Sequence, residues 1–251
     1  MQSTFSLVIL SCICVVLADN KVSLPSYVTP CNISDKHLSQ CVKEQIIVCL
    51  PKFTKGIPEL KVPSLDPIKL DDIKIGGNGL DLTFFEASME GISDSKVTDF
   101  KINLGEVDEE FSLSFKSNFT LKAKYEVDGR ILILPIKGKG DAFVYAQGVE
   151  VQISSKLTHF KNNKGEHLKL ATPTYKYDIE LTTFDLQNLF NGNKQLADTT
   201  LQFANQNWKQ LMDELAPPAI KQIVVTGVKA INKFFASVPI SQMIIGYKET
   251  L

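Results

Sequence analysis

The side chains with the greatest capacity for chemistry do not assemble into a reaction centre. His37, His159 and His167 are the only three histidines, and they lie in polar, loop-like stretches without the ligand spacing a metal ion requires. Those surroundings predict surface positions. Gly76-Gly77-Asn78-Gly79 is glycine-rich but precedes a strand pattern instead of opening a helix. It therefore predicts a turn and not a phosphate cradle. Asp71-Asp72 and Asp108-Glu109-Glu110 predict solvated turn or edge charges. No Gly-x-Ser-x-Gly nucleophile elbow occurs. These residues point away from an enzyme, and they imply neither a metal nor a cofactor.

Cysteine offers the remaining reactive chemistry. Cys12 and Cys14 fall in the N-terminal apolar run, which leaves Cys31, Cys41 and Cys49. Cys41 and Cys49 share a predicted helix, Gln40 to Leu50, which separates them by about 12 Å. A disulfide cannot span that distance. Cys31 with Cys41 is the natural pair and stabilises by roughly 3 kcal/mol on the loop-entropy model. Cys49 falls on the apolar face of the helix and predicts an inert, buried thiol.

The N-terminal run sets the compartment. Phe5 to Leu17 is apolar and uncharged, too short for the roughly 20 residues of a bilayer span. Small residues at Val16-Leu17-Ala18 follow it. The pattern predicts a secretory signal over residues 1–18, cleaved after Ala18, ahead of a single domain over residues 19–251. The protein is therefore expected to be secreted and extracellular, without stable membrane insertion. Asn32-Ile33-Ser34 and Asn118-Phe119-Thr120 match the glycosylation acceptor pattern, which applies in that compartment. A net charge of −1 supplies no positive stripe for nucleic acid.

The elements that remain must bury a large apolar surface. Ser39 is a candidate cap for the short helix, and Pro51 is expected to end it. Gly56 to Pro67 carries three prolines that favour an extended path, with Ile57, Leu60, Val62 and Leu65 to bury. From Ile68 to Leu181 the period is two. Phe111, Leu113, Phe115, Phe119, Leu121, Ala123, Tyr125 and Val127 alternate with polar residues, broken only by Ser117. That is an antiparallel sheet covered on one face. Asp128-Gly129 predicts a two-residue hairpin turn, and Arg130 to Ile136 predicts the return strand. Ile131 to Leu134 lacks alternation and is expected to be buried on both faces. Gly138-Lys139-Gly140 predicts another turn. Beyond it Ala142, Val144 and Ala146 alternate, and the apolar parity flips at Gly148, which predicts a bulge and a bend.

Near residue 196 the spacing becomes helical. Leu201, Ala204, Trp208, Leu211 and Leu215 lead into Ile220, Ile223, Val224, Val228, Ile231, Phe234 and Phe235. The pattern predicts one helix from about Leu196 to Ala236, kinked at Pro217-Pro218. Such an apolar helix needs cover, and the curved sheet is what can supply it.

Cys31 with Cys41, the Gly56–Pro67 segment, the hairpin from Tyr125 to Ile136, Leu189-Phe190-Asn191-Gly192-Asn193, Asn207-Trp208 and Val238-Pro239 resemble, in order, the insect takeout and haemolymph juvenile-hormone-binding family. The resemblance implies an α+β fold in which a strongly curved antiparallel sheet wraps a long C-terminal helix as a tubular lipid-binding roll. It implies an apolar tunnel between them that holds a terpenoid or fatty-acid-like molecule. Carriers of juvenile hormone proper look to have a second disulfide, and no cysteine follows Cys49 here. This places the chain nearer the takeout branch.

On that reading the expected lining is Leu65, Phe84, Leu113, Phe115, Phe119, Leu121, Tyr125, Ile133, Val144, Tyr177, Trp208, Leu211, Met212 and Leu215. A hydroxyl of Tyr125, Tyr177 or Thr183 is the candidate to orient a polar ligand end. The alternative is an extracellular interaction protein whose core is filled by its own side chains.

Overall fold

The computed structural model describes residues 23–77, 79–105 and 108–249. The expected signal segment, residues 1–18, lies outside them. A short strand β1 (Cys31–Asn32) leads into α1 (Leu38–Phe53). Then follow β2 (Ile68–Lys69), β3 (Ile73–Gly77), β4 (Leu80–Glu90) and β5 (Lys96–Asn103). The two long strands are β6 (Glu110–Ile131) and β7 (Leu134–Asn162). After them come β8 (Gly165–Leu170), β9 (Thr174–Asp178), β10 (Leu181–Leu186), α2 (Lys194–Gln206), α3 (Trp208–Ser237), α4 (Ile240–Met243) and β11 (Ile244–Ile245).

One antiparallel sheet dominates. β6 and β7 pair along most of their lengths, β6 also carries β4 and β5, and β7 carries β8, β9 and β10. Strand β7 has 29 residues, roughly 95 Å if it ran straight, while α3 has 30 residues and spans about 45 Å. The sheet fits its helix by curling around it. Register shifts at Phe85/Ser88, Val97/Asp99 and Ser117/Phe119 supply local bends. The last of these sits opposite Gly148, where the sequence places a bulge, and the Asn118 side chain accepts from the Gly148 amide at 2.8 Å. Ser117, the polar break in the apolar face, donates its hydroxyl to the Gly91 carbonyl at 2.7 Å.

Two predicted turns are strand instead. Asp128 and Gly129 pair with Lys137 and Ile136, and the chain reverses at Leu132-Ile133. Gly129 is needed for close approach: a Cβ there would lie 2.1 Å from the Gly79 carbonyl oxygen. Gly140 likewise sits within β7, where a Cβ would meet the Gln187 carbonyl oxygen at 2.3 Å. Leu132 takes the positive φ of 54° that the reversal requires.

The predicted single helix is two. Asn207 separates α2 from α3, and its side chain donates to the Phe203 carbonyl at 2.8 Å. The same carbonyl accepts from the Asn207 amide at 3.1 Å, so one residue closes the end of α2 twice over. Pro217 and Pro218 lie inside α3 on its exposed side. Asp213 and Glu214, which lose their amide partners there, are also exposed, on the side where a helix carbonyl without an amide partner costs least. Helix α1 starts two residues earlier than its cap signal: Ser39 accepts from the Ile102 amide at 3.1 Å instead of capping. Pro51 is accommodated in the last turn of α1. The Gly56–Pro67 segment buries Ile57, Leu60, Val62 and Leu65 as expected, around a short helical turn at Pro58–Leu60.

Candidate functional site

The inner face of the sheet and the helix do not close on each other. Between them lies a cavity of about 470 Å³, within the roughly 300–1,000 Å³ of small-molecule sites. Helix α3 contributes Met212, Leu215, Ala216, Ala219, Ile220, Ile223, Val224, Gly227, Val228, Ile231, Phe234 and Phe235. These recur at steps of one and three, one continuous stripe of an α-helix. Small residues at 216, 219 and 227 keep that stripe from reaching the sheet, and a Cβ added at Gly227 would meet nothing within 4 Å. From Met212 to Phe235 the stripe runs about 35 Å, so the site is elongated.

Opposite the stripe, β6 supplies Phe111, Leu113, Phe115, Phe119 and Leu121 on alternate positions, as its period of two dictates. Helix α1 closes one side with Val42, Ile46, Cys49, Leu50 and Phe53. The disulfide Cys31–Cys41, with Cα atoms 6.1 Å apart, ties α1 to β1, which pairs in parallel with β11. Among the described residues no lining side chain is Asp, Glu, Lys, Arg or His. The polar members are few: Tyr27, Thr29, Gln45, Thr54, Ser95 and Tyr177, beside the Cys49 thiol. Burial pushes both the Cys49 thiol and the Tyr177 phenol up from their ordinary values. Such a wall can shelter an apolar molecule from water.

The family model described as haemolymph juvenile hormone binding protein matches residues 8–245. The chain belongs to that family. Among relatives of this member of the haemolymph juvenile hormone binding protein family is the circadian clock-controlled protein daywake of Drosophila melanogaster. It is 29% identical over 233 residues, covering 88% of each chain. The Drosophila yakuba daywake protein is 31% identical over 79% of this chain and 80% of its own. The crystal structure of takeout 1 from Epiphyas postvittana superposes with a TM-score of 0.80 at 32% identity. The match covers 87% of this chain and all of that one.

In this family member ten of the expected lining residues stand on the cavity wall: Leu65, Phe84, Leu113, Phe115, Phe119, Leu121, Val144, Tyr177, Met212 and Leu215. Four do not. Ile133 is 79% exposed at the tip of the β6–β7 hairpin, because the reversal falls there and not at Asp128-Gly129. Tyr125 is fully buried and donates its hydroxyl to the Gln187 carbonyl at 2.8 Å. With Leu82, Leu189, Ala204 and Leu211 it fills one end of the roll as solid core. Leu211 is 2% exposed within that core. Trp208 begins α3 and stays off the wall.

Sequence reasoning missed the contribution of α1 to the wall, although the spacing of Val42, Ile46, Cys49 and Phe53 carried the signal. It also missed Val97, Phe100 and Ile102 of β5, whose strand is short and weakly patterned. Cys49 is free, as expected, yet half-buried on the wall and not packed in a core.

Two histidine expectations are corrected. His167 is fully buried, donating from Nδ1 to the Phe235 carbonyl at 2.7 Å, with Nε2 beside the Asn162 amide oxygen at 2.9 Å. It thus satisfies a carbonyl in the last turn of α3. His159 lies between Glu109 and the fully buried Glu166, and Tyr247 stacks on its ring. Glu109, expected in solvent, is drawn inward by this pairing. Neither His159, His167, Glu109 nor Glu166 lines the cavity, and among the described residues no cluster of His, Cys, Asp and Glu could hold a metal ion. No helix among them is long and apolar enough to cross a membrane.

Proposed function

We propose that this protein is a secreted carrier that encloses a small hydrophobic molecule, terpenoid or fatty-acid-like, and carries out no chemistry on it. The observation that carries the reading is the elongated cavity whose wall, among the described residues, holds no Asp, Glu, Lys, Arg or His. Membership of a family named for haemolymph and hormone binding supports it, as does the Cys31–Cys41 disulfide, which persists in oxidising compartments. Asn32 and Asn118 are both exposed and are the proposed glycosylation positions. Burying about ten methylenes contributes on the order of 8 kcal/mol, and ordering the ligand takes back several. Micromolar to nanomolar affinity is therefore within reach without a charged contact. The reading in which side chains fill the core is weaker, because Gly227 faces open space.

The test is to express the chain in insect cells, purify it from the medium, extract it with organic solvent and identify what co-purifies by mass spectrometry. An apolar small molecule is expected, together with uptake of N-phenyl-1-naphthylamine by the delipidated protein. Empty extracts combined with no probe uptake reject the proposal.

A further inference from the structure

One group of ionisable side chains off the cavity wall gathers four segments distant in sequence. His159 of β7 sits between Glu109, which precedes β6, and Glu166 of β8. Its Nε2 faces a Glu109 oxygen, and its Nδ1 lies 2.7 Å from Glu166 Oε1. Tyr247 of the C-terminal segment stacks on the ring and brings its hydroxyl to 3.2 Å from Nδ1. Other charges on these segments pair with each other, Lys161 with Glu249 at 3.1 Å and Lys156 with Asp108 at 3.3 Å. Lys164, Lys169 and Lys248 are exposed and Glu110 partly so, while His167 turns away to the Phe235 carbonyl. The segment that carries Tyr247 also closes one end of the cavity. Met243 and Ile244 stand on the wall, Ile244 pairs with Cys31, and Gln242 accepts from the Leu24 amide at 3.0 Å.

We propose that Glu109, His159 and Glu166 form a proton-dependent latch that holds residues 240–249 across that end of the cavity, and that loss of one proton releases them. The latch rests on the carrier reading above only for what its release lets out. A neutral imidazole donates from one nitrogen and accepts at the other, whereas an ionised carboxylate only accepts. Both contacts are therefore hydrogen bonds only when the three groups together hold one proton beyond a neutral ring and two carboxylates. A histidine in water has shed that proton by about pH 8, so the unfolded chain lacks it. Taking it from the folded chain sets a ring lone pair against a carboxylate, beside the fully buried Glu166, where an unmatched charge is costly. The folded chain thus binds the extra proton, and closure weakens as pH rises from about 6.5 toward 8.5. Glu109→Gln removes the requirement. Its amide oxygen keeps the bond from the Gly105 amide, which Glu109 Oε1 accepts at 2.6 Å. Its NH2 donates to Nε2, and a neutral ring keeps the Nδ1 proton for Glu166.

The experiment follows release of N-phenyl-1-naphthylamine from wild type and Glu109→Gln by stopped flow between pH 6.5 and 8.5. Alongside it, hydrogen exchange is measured for the peptide spanning residues 240–249 and corrected for its intrinsic pH dependence. One proton sets a ceiling of about tenfold per pH unit. Wild-type release is expected to accelerate about tenfold over the range, and the peptide to lose protection by a similar factor. Glu109→Gln is expected to show neither change. The wild-type profiles decide by themselves should that variant misfold. Release and protection independent of pH, or a Glu109→Gln variant as steep as wild type, overturn the latch and leave the carrier reading intact. Protection that falls with pH while release does not also overturns it, because the cluster then only braces the tail. If wild type takes up no probe, the carrier reading fails, and the exchange arm still decides whether the proton holds the segment.

Discussion

Cys49 gives the cavity a single chemical reporter, since it is the free thiol among the described residues and stands on the wall. Burial raises it above its ordinary 9.0, outweighing Lys52, so little thiolate forms near neutrality. Modification by N-ethylmaleimide is expected to be slow at pH 7.5, to accelerate only above pH 9, and to slow again when methyl laurate occupies the cavity. Mass spectrometry of timed samples measures all three. Tyr125 provides a second test. Its burial pushes the phenol up to about 12, against 10.0 when free, so the unfolded chain loses this proton first as pH rises. The stability it contributes is complete below pH 10 and falls as pH climbs from 10 toward about 12. Tyr125→Phe is expected to cost about 1 kcal/mol below pH 10, since it orphans the Gln187 carbonyl. That deficit should shrink by pH 11, as read from denaturant midpoints. At this scale the sequence was least legible. Glu109 and His159 look like surface residues because a strand pattern does not reveal which carboxylate a distant ring will meet.

At the level of elements, the alternation in β6 and the helical stripe of α3 were legible because each is a local period set by backbone geometry. Where those elements reverse was not. Asp128-Gly129 has the composition of a turn, yet its glycine answers to the Gly79 backbone crossing it. Helix α3 stays helical through Pro217 and Pro218, and the break in the predicted single helix falls at Asn207. Two glycines with similar local signals should therefore respond oppositely. Gly140→Ala drives a Cβ to within 2.3 Å of a carbonyl oxygen and is expected to destabilise by about 1–3 kcal/mol. Gly227→Ala has open space before it and a helical backbone around it. It is expected to stabilise by about 0.8–1 kcal/mol. Thermal unfolding of the pair checks both signs.

For the whole molecule, the decisive property is that helix and sheet enclose space. Gly227→Phe places an aromatic ring in that space, and probe uptake should disappear while circular dichroism and the melting temperature are maintained. An occupied wild-type protein should melt higher. At a ligand concentration of 100 Kd the gain is about 2.7 kcal/mol, or roughly 5–10 °C for a chain of this size. The amino-acid sequence alone determined that a curved antiparallel sheet must cover a long apolar helix, because periods of two and 3.6 and the demand to bury apolar faces are local properties. It likewise determined the Cys31–Cys41 pair, through the reach of a disulfide. Only the tertiary structure decided which apolar residues line a cavity and which pack as core, since Leu211 and Met212 are neighbours in sequence yet fall on opposite sides of that division.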